Sequence, residues 1–145
     1  MKFSEIERER WAELQPYLDT ALLPLSGLTG KESPYEATAA LERLRDALDP
    51  IEQAYRGRVV TYPALHYASD DESLAALTDE LCERLKRSGF RYCVVVTGES
   101  RLRGLTVRNA SAVLGPEPET KEAPSELYRS YAKRTIEGMW RGADA

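Results

Sequence analysis

The sequence predicts an α/β fold of three layers, a mainly parallel sheet of four or five strands with helices on both faces. Apolar runs recur at near-regular spacing: Leu18–Leu25 (LDTALLPL), Arg58–Leu65 (RVVTYPAL) and Arg91–Thr97 (RYCVVVT). Each is too short for a helix and too continuously apolar for a strand with one wet face, which marks parallel strands buried on both sides. Helix-length amphipathic segments separate the runs, as β-α-β-α-β crossovers require.

The elements follow in order. Ser4–Leu14 reads as a short helix with a capping box of Ser4 and Glu7, a thin apolar face of Ile6, Trp11 and Leu14, and a stop at Pro16. Ser33, Pro34 and Glu36 open a second helix. Its stripe of Ala37, Leu41, Leu44, Leu48, Ile51 and Tyr55 keeps register across Pro50, which predicts a kink or a restart capped by Asp49, with Gly57 as a left-handed stop. A third helix is expected from Asp70 to Ser88, boxed by Ser69 and Glu72, striped by Leu74, Leu77, Leu81 and Leu85, and ended by Gly89. Beyond Ser100, Leu105–Val107 and Ala112–Leu114 read as short strands, one parallel and one a hairpin partner around Asn109. Tyr128, Ala132, Ile136, Met139 and Trp140 mark a last helix.

At 145 residues the chain is expected to form one domain. Its parts would be an N-terminal helix over 1–16, a βαβαβ core over 17–115, a connector over 116–124 (within GPEPETKEAP) and a C-terminal helix over 125–141. A formal net charge of −4 and a pI near 5.2 argue against a nucleic-acid partner, which favours clustered basic residues. No apolar stretch reaches membrane-span length and the N-terminus is charged, so a cytoplasmic protein is expected. Cys82 and Cys93 lack CxxC spacing and read as reduced, buried small hydrophobes.

The strand-end loops Ser26–Gly30, Pro63–Ser69 and Thr97–Ser100 would gather at the carboxyl edge of the sheet, where open α/β folds bind ligands. Candidate ligand-binding residues are Ser26, Thr29, His66, Thr97, Glu99 and Ser100. His66, the one histidine of the chain, could shuttle a proton or hold a metal, but catalytic zinc sites use three protein ligands. Thr97-Gly98-Glu99-Ser100 offers hydroxyls and a carboxylate beside a sharp turn. Ser26–Lys31 has the look of a phosphate loop without its spacing, because Lys31 precedes Glu32 where a hydroxyl residue belongs. Asp70, Asp71 and Glu72 sit in a first helical turn, where the helix dipole alone favours acids. There is no G-x-S-x-G elbow.

Tyr17–Leu25, Gly57–Leu65 and Ser88–Glu99 resemble, in order and spacing, the YpiF-like family of small cytosolic proteins from Gram-positive bacteria, over roughly Trp11 to Ser100. Members of that family have no established activity; their genes often lie near those of a menaquinol–cytochrome reductase, so the resemblance implies a respiratory-chain context for a partner. More distantly the strands resemble the creatininase-type amidohydrolases, whose first motif is P-x-G-S-x-E-x-H-G. Thr29 stands where the metal-binding glutamate of that motif would be and Lys31 where the histidine would be. Thr97-Gly98-Glu99-Ser100 replaces the second motif, N-G-H-G. This likeness implies a kept scaffold and a lost metal site.

No metal and no cofactor are expected. The function expected is non-catalytic, either small-ligand binding at the strand ends or accessory interaction with a protein partner. The alternative is a small hydrolase using His66 and Glu99.

Overall fold

The computed structural model describes residues 1–118 and 126–142. Its elements are α1 (Arg8–Leu14), β1 (Thr20–Leu25), α2 (Pro34–Ala54), β2 (Val59–Thr61), α3 (Asp71–Arg87), β3 (Tyr92–Thr97), β4 (Ala112–Leu114) and α4 (Glu126–Gly142). The strands form one sheet in the order β2-β1-β3-β4, with every neighbouring pair parallel. The expected α/β class is therefore what forms, with four strands among the described residues.

The β1–β3 ladder is the spine of the sheet, running from Thr20 opposite Tyr92 to Leu25 opposite Thr97. Every residue of both strands is buried. Alternation along the strands sends Leu22, Val94 and Val96 to one face, where Ala47 and Ile51 of α2 and Tyr128, Ala132, Ile136 and Trp140 of α4 cover them. Leu23, Leu25, Cys93 and Val95 face the other way, against Leu74 and Cys82 of α3. Trp11 and Leu14 of α1 complete that second layer over Ala21, Val60 and Phe90. The chain winds one way from β1 to β2 and the other way from β2 to β3. Right-handed crossovers then put α2 and α3 on opposite faces, which is the origin of the three layers.

Several local expectations are corrected. The N-terminal segment is a 3₁₀ turn at Phe3–Glu5 followed by α1, because the Glu5 carboxylate accepts the Lys2 amide at 2.8 Å and caps the chain ahead of the Ser4–Glu7 box. Helix α2 runs through Pro50 to Ala54 as one element, so of the two alternatives expected there the restart at Asp49 is excluded. Gly57 does not take a left-handed conformation; the Arg58 and Val59 amides donate to the Tyr55 carbonyl and end α2 without it. Asp70, not Ser69, caps α3, accepting the Ser73 amide at 2.7 Å. Gly89, at φ +118°, ends that helix as expected.

The buried helix faces are also rotated. In α2 they are Ala40, Leu44, Ala47 and Ile51, with Leu41 exposed; in α3 they are Leu74, Thr78 and Cys82, with Leu77 exposed. Thr78 tolerates burial because its hydroxyl donates to the Leu74 carbonyl at 2.6 Å.

Leu105–Val107 is not a strand. A parallel β4 has to start at the same end of the sheet as β3, so residues 98–111 must travel back along the sheet. They do so over the α3 face, burying Leu102 and Val107. Asn109, expected in a hairpin, donates its backbone amide to Asp79 of α3 at 2.6 Å. The connector expected over 116–124 lies outside the described residues from position 119 onward.

Candidate functional site

The loops after β1, β2 and β3 meet at the carboxyl edge around a cleft of about 560 Å³. The site falls where the winding reverses, between β1 and β3, so the loops leaving those strands diverge and leave a crevice. Gly27, at φ +77°, turns the chain away from β1 so close to the neighbouring loop that a Cβ there would lie 2.8 Å from Glu99 Cγ. A bridge between Leu25 and Leu65 holds the loop after β2 beside β1. The first half of α2 and the first turn of α3 close the sides, through Tyr35, Ala39, Ala40 and Arg43 and through Asp71 and Leu74.

Three of the six candidate residues, Thr29, His66 and Glu99, line the cleft, whereas Ser26, Thr97 and Ser100 do not. Ser26 is buried behind His66, with its Oγ 2.7 Å from His66 Nδ1. That hydroxyl also lies 3.2 Å from the Leu65 carbonyl and accepts the Leu28 amide at 3.3 Å. With one hydrogen to give, Ser26 satisfies all three contacts by donating to Leu65 and accepting from both Leu28 and His66. We therefore assign the proton of the neutral imidazole to Nδ1. Thr97 is buried and its hydroxyl accepts the Glu99 amide at 3.1 Å. Ser100 opens a 3₁₀ turn.

The loop that looks like a phosphate loop is filled from within. The Glu32 carboxylate accepts the amides of Thr29 and Gly30 at 3.0 and 2.9 Å and the Thr29 hydroxyl at 3.1 Å. These bonds, the Thr29 amide foremost, hold its pKa down to about 2. The amides that would receive a phosphate already hold an anion.

The two arginines of the cleft are committed as well. Arg43 reaches Glu99 at 2.7 Å, and Arg101 folds back to bridge Asp71 and the Gly27 carbonyl, the latter at 3.0 Å. Arg103 turns elsewhere, to Glu117 at 2.7 Å and over the Tyr131 ring. Tyr35 and Tyr67 line the cleft with their side chains largely in solvent, 76% and 69% exposed. Tyr67 takes φ +62°, a left-handed conformation that a bulky residue rarely adopts.

Sequence reasoning missed Tyr35, Arg43 and Tyr67. A usable signal was present for the first two, because Tyr35, Ala39 and Arg43 recur at spacings of four and so share one side of α2. Nothing in the local sequence announces the strained backbone at Tyr67. Among the described residues no group of three His, Cys, Asp or Glu side chains is placed to hold a metal ion. No helix among them is long and apolar enough to cross a membrane.

A doubly wound parallel α/β protein with a polar cleft at its switch point is the class that this geometry defines. The chain belongs to a family of proteins of unknown function, DUF2487, whose family model matches residues 9–114. That span includes every residue lining the cleft and ends at β4, ahead of α4. No curated protein and no solved structure matches the chain.

Proposed function

We propose that the protein is a non-catalytic binder of a small organic molecule, held in the cleft at the carboxyl edge of the sheet. The observation that carries this reading is the state of the cleft's charged groups. Glu32, Arg43, Glu99, Arg101 and Asp71 are already bound to other groups of the chain, while two tyrosine rings stand open to solvent. Open aromatic faces among satisfied polar groups suit recognition more than bond-making.

Charge narrows the ligand. Glu32, Glu36, Asp70, Asp71 and Glu99 line the cleft against Arg43 and Arg101, so the local field disfavours anions. A flat molecule carrying an ammonium group fits best, with its cation attracted both by surplus carboxylate and by tyrosine faces. Thr29 and Lys31 bear on the creatininase-type likeness in the same direction: at the positions of two metal ligands stand a hydroxyl tied to Glu32 and an ammonium.

A hydrolase built on His66 and Glu99 would need the carboxylate to orient the imidazole, or the pair to share a water. Glu99 is bound to Arg43 instead, and His66 to Ser26. Titrating labelled protein with tyramine, and separately with ATP, while following backbone amide resonances tests the proposal. Saturable shifts at Thr29 and at His66–Ala68 with tyramine, and none with ATP, are expected. Tight binding of ATP in the cleft, or ester hydrolysis lost in His66→Ala, would replace this reading by another.

A further inference from the structure

Cys82 lies midway along α3 and Cys93 is the second residue of β3, eleven positions later. The helix packs over the strand so that the two sulfurs stand 3.1 Å apart, both without solvent exposure. Apolar side chains surround them, among them Leu74, Val95 and Val107. Both thiols are free. A disulfide would need the sulfurs to close by about 1 Å, to the ~2.05 Å of a covalent S–S bond.

We propose that Cys82 and Cys93 are a redox-modification site, forming a reversible intramolecular disulfide when the protein meets a hydroperoxide. The two sulfurs have distinct parts. The Cys93 thiol donates its hydrogen to the Cys82 sulfur. That bond favours the Cys82 thiolate and outweighs its burial, with the Lys86 ammonium adding to it and Asp79 opposing, and together with burial it pushes the Cys93 thiol up. Cys82 is therefore the sulfur that attacks. Its thiolate takes the terminal oxygen of hydrogen peroxide, the O–O bond breaks, and hydroxide leaves to pick up the displaced proton, giving a Cys82 sulfenic acid and one water. The Cys93 sulfur then attacks the sulfenic sulfur, the S–O bond breaks, and the departing hydroxyl takes the Cys93 proton as a second water. Two thiols are oxidised by two electrons and one peroxide is reduced to two waters. A thiol reductant reverses the change.

Access comes through α3. That helix rests on the sheet through Leu74, Thr78 and Cys82, flanked by the half-buried Leu81 and Leu85, while its outer surface is solvated, so peroxide reaches the sulfurs by local opening of this one element. Once formed, the bond ties the middle of α3 to the centre of the sheet.

The test uses the full chain. Reduced protein is exposed to hydrogen peroxide, quenched with catalase, unfolded in guanidinium, alkylated with iodoacetamide and weighed intact. The reduced sample should carry two alkyl groups. The oxidised sample should carry none, be lighter than the unalkylated reduced chain by two hydrogens, and recover both sites after dithiothreitol. In Cys93→Ser the reaction should stop at a sulfenic acid on Cys82, trapped by dimedone. Oxidation should raise the thermal midpoint by roughly 5–10 °C, because the cross-link restricts the unfolded chain. The proposal is overturned if both thiols still alkylate under peroxide that converts free cysteine to cystine. Disulfides between chains only, oxygen added without loss of two hydrogens, or a fall in the thermal midpoint would each overturn it as well.

Discussion

The α-carbon of Gly98 rests against the peptide that joins Arg43 to Leu44. A Cβ at position 98 would stand 2.5 Å from both the Arg43 carbonyl carbon and the Leu44 nitrogen. This contact between the end of β3 and the middle of α2 sets how close the helix comes to the sheet edge. It also fixes Arg43 where its guanidinium can hold Glu99.

Neither the backbone of a helix nor a bend that directly continues a central strand can step aside easily for a methyl group. Gly98→Ala should therefore destabilise the protein by about 2–3 kcal/mol. Gly138→Ala in α4, where nothing lies within 4 Å, should instead stabilise by about 0.5–1 kcal/mol through helix propensity. Urea midpoints of the two variants check the contrast; equal midpoints would mean that the contact with α2 relaxes freely.

Val95 lies at the centre of the sheet, paired on one side with Leu23 and on the other with Val113, and it has no solvent exposure. Val95→Ala removes two methyl groups from a layer packed against α3 and should cost roughly 1–3 kcal/mol. Lys133→Ala on the outer side of α4 should stay within about 0.5 kcal/mol. Denaturation of both variants at one pH gives the comparison.

The strands were legible because burial on both faces leaves an unbroken apolar run, which no other short element needs. The helix faces were less so. Leucine spacing pointed to Leu41 and Leu77, yet α2 turns Ala40, Leu44, Ala47 and Ile51 inward, with small Ala40 and Ala47 among them, and its backbone at Arg43–Leu44 sits against Gly98. Thr78 replaces Leu77 in the core of α3 because a hydroxyl can bond to its own helix. Leu105–Val107 carries strand-like residues but serves as a crossover, a choice made by the parallel pairing of β3 with β4. Of the cleft, Thr29, His66 and Glu99 were visible as polar residues after strands. Tyr35 and Arg43 came from one side of α2, which only the fold brings alongside.

The Glu32 carboxylate offers a titration with a definite sign. Its bonds to the Thr29 and Gly30 amides lower its pKa from 4.5 to about 2 in the folded chain. Between those values the unfolded chain binds more protons than the folded one. The contribution is thus present above pH 4.5 and is lost as pH falls towards 2. NMR titration of the Glu32 side chain should show a midpoint near 2, with the Thr29 and Gly30 amide shifts moving in the same window. A midpoint at the ordinary glutamate value would mean that the loop amides are free to take a ligand's anion.

Tyr67 supplies the sharpest separation of folding from binding. A left-handed backbone at a non-glycine residue costs roughly 1–2 kcal/mol, and the ring of Tyr67, 69% exposed, returns little of that through burial. Tyr67→Gly relieves the strain, with part of the gain, about 0.5–1 kcal/mol, offset by the greater freedom of glycine in the unfolded chain. Stability should therefore be unchanged or rise by up to about 1 kcal/mol. Affinity for an aromatic ammonium such as tyramine should fall several-fold, because one wall of the cleft is gone. Thermal unfolding and calorimetric titration on the same preparation read the two effects apart. If the variant loses more than about 1 kcal/mol of stability while binding is untouched, the strained conformation serves the fold and not the cleft.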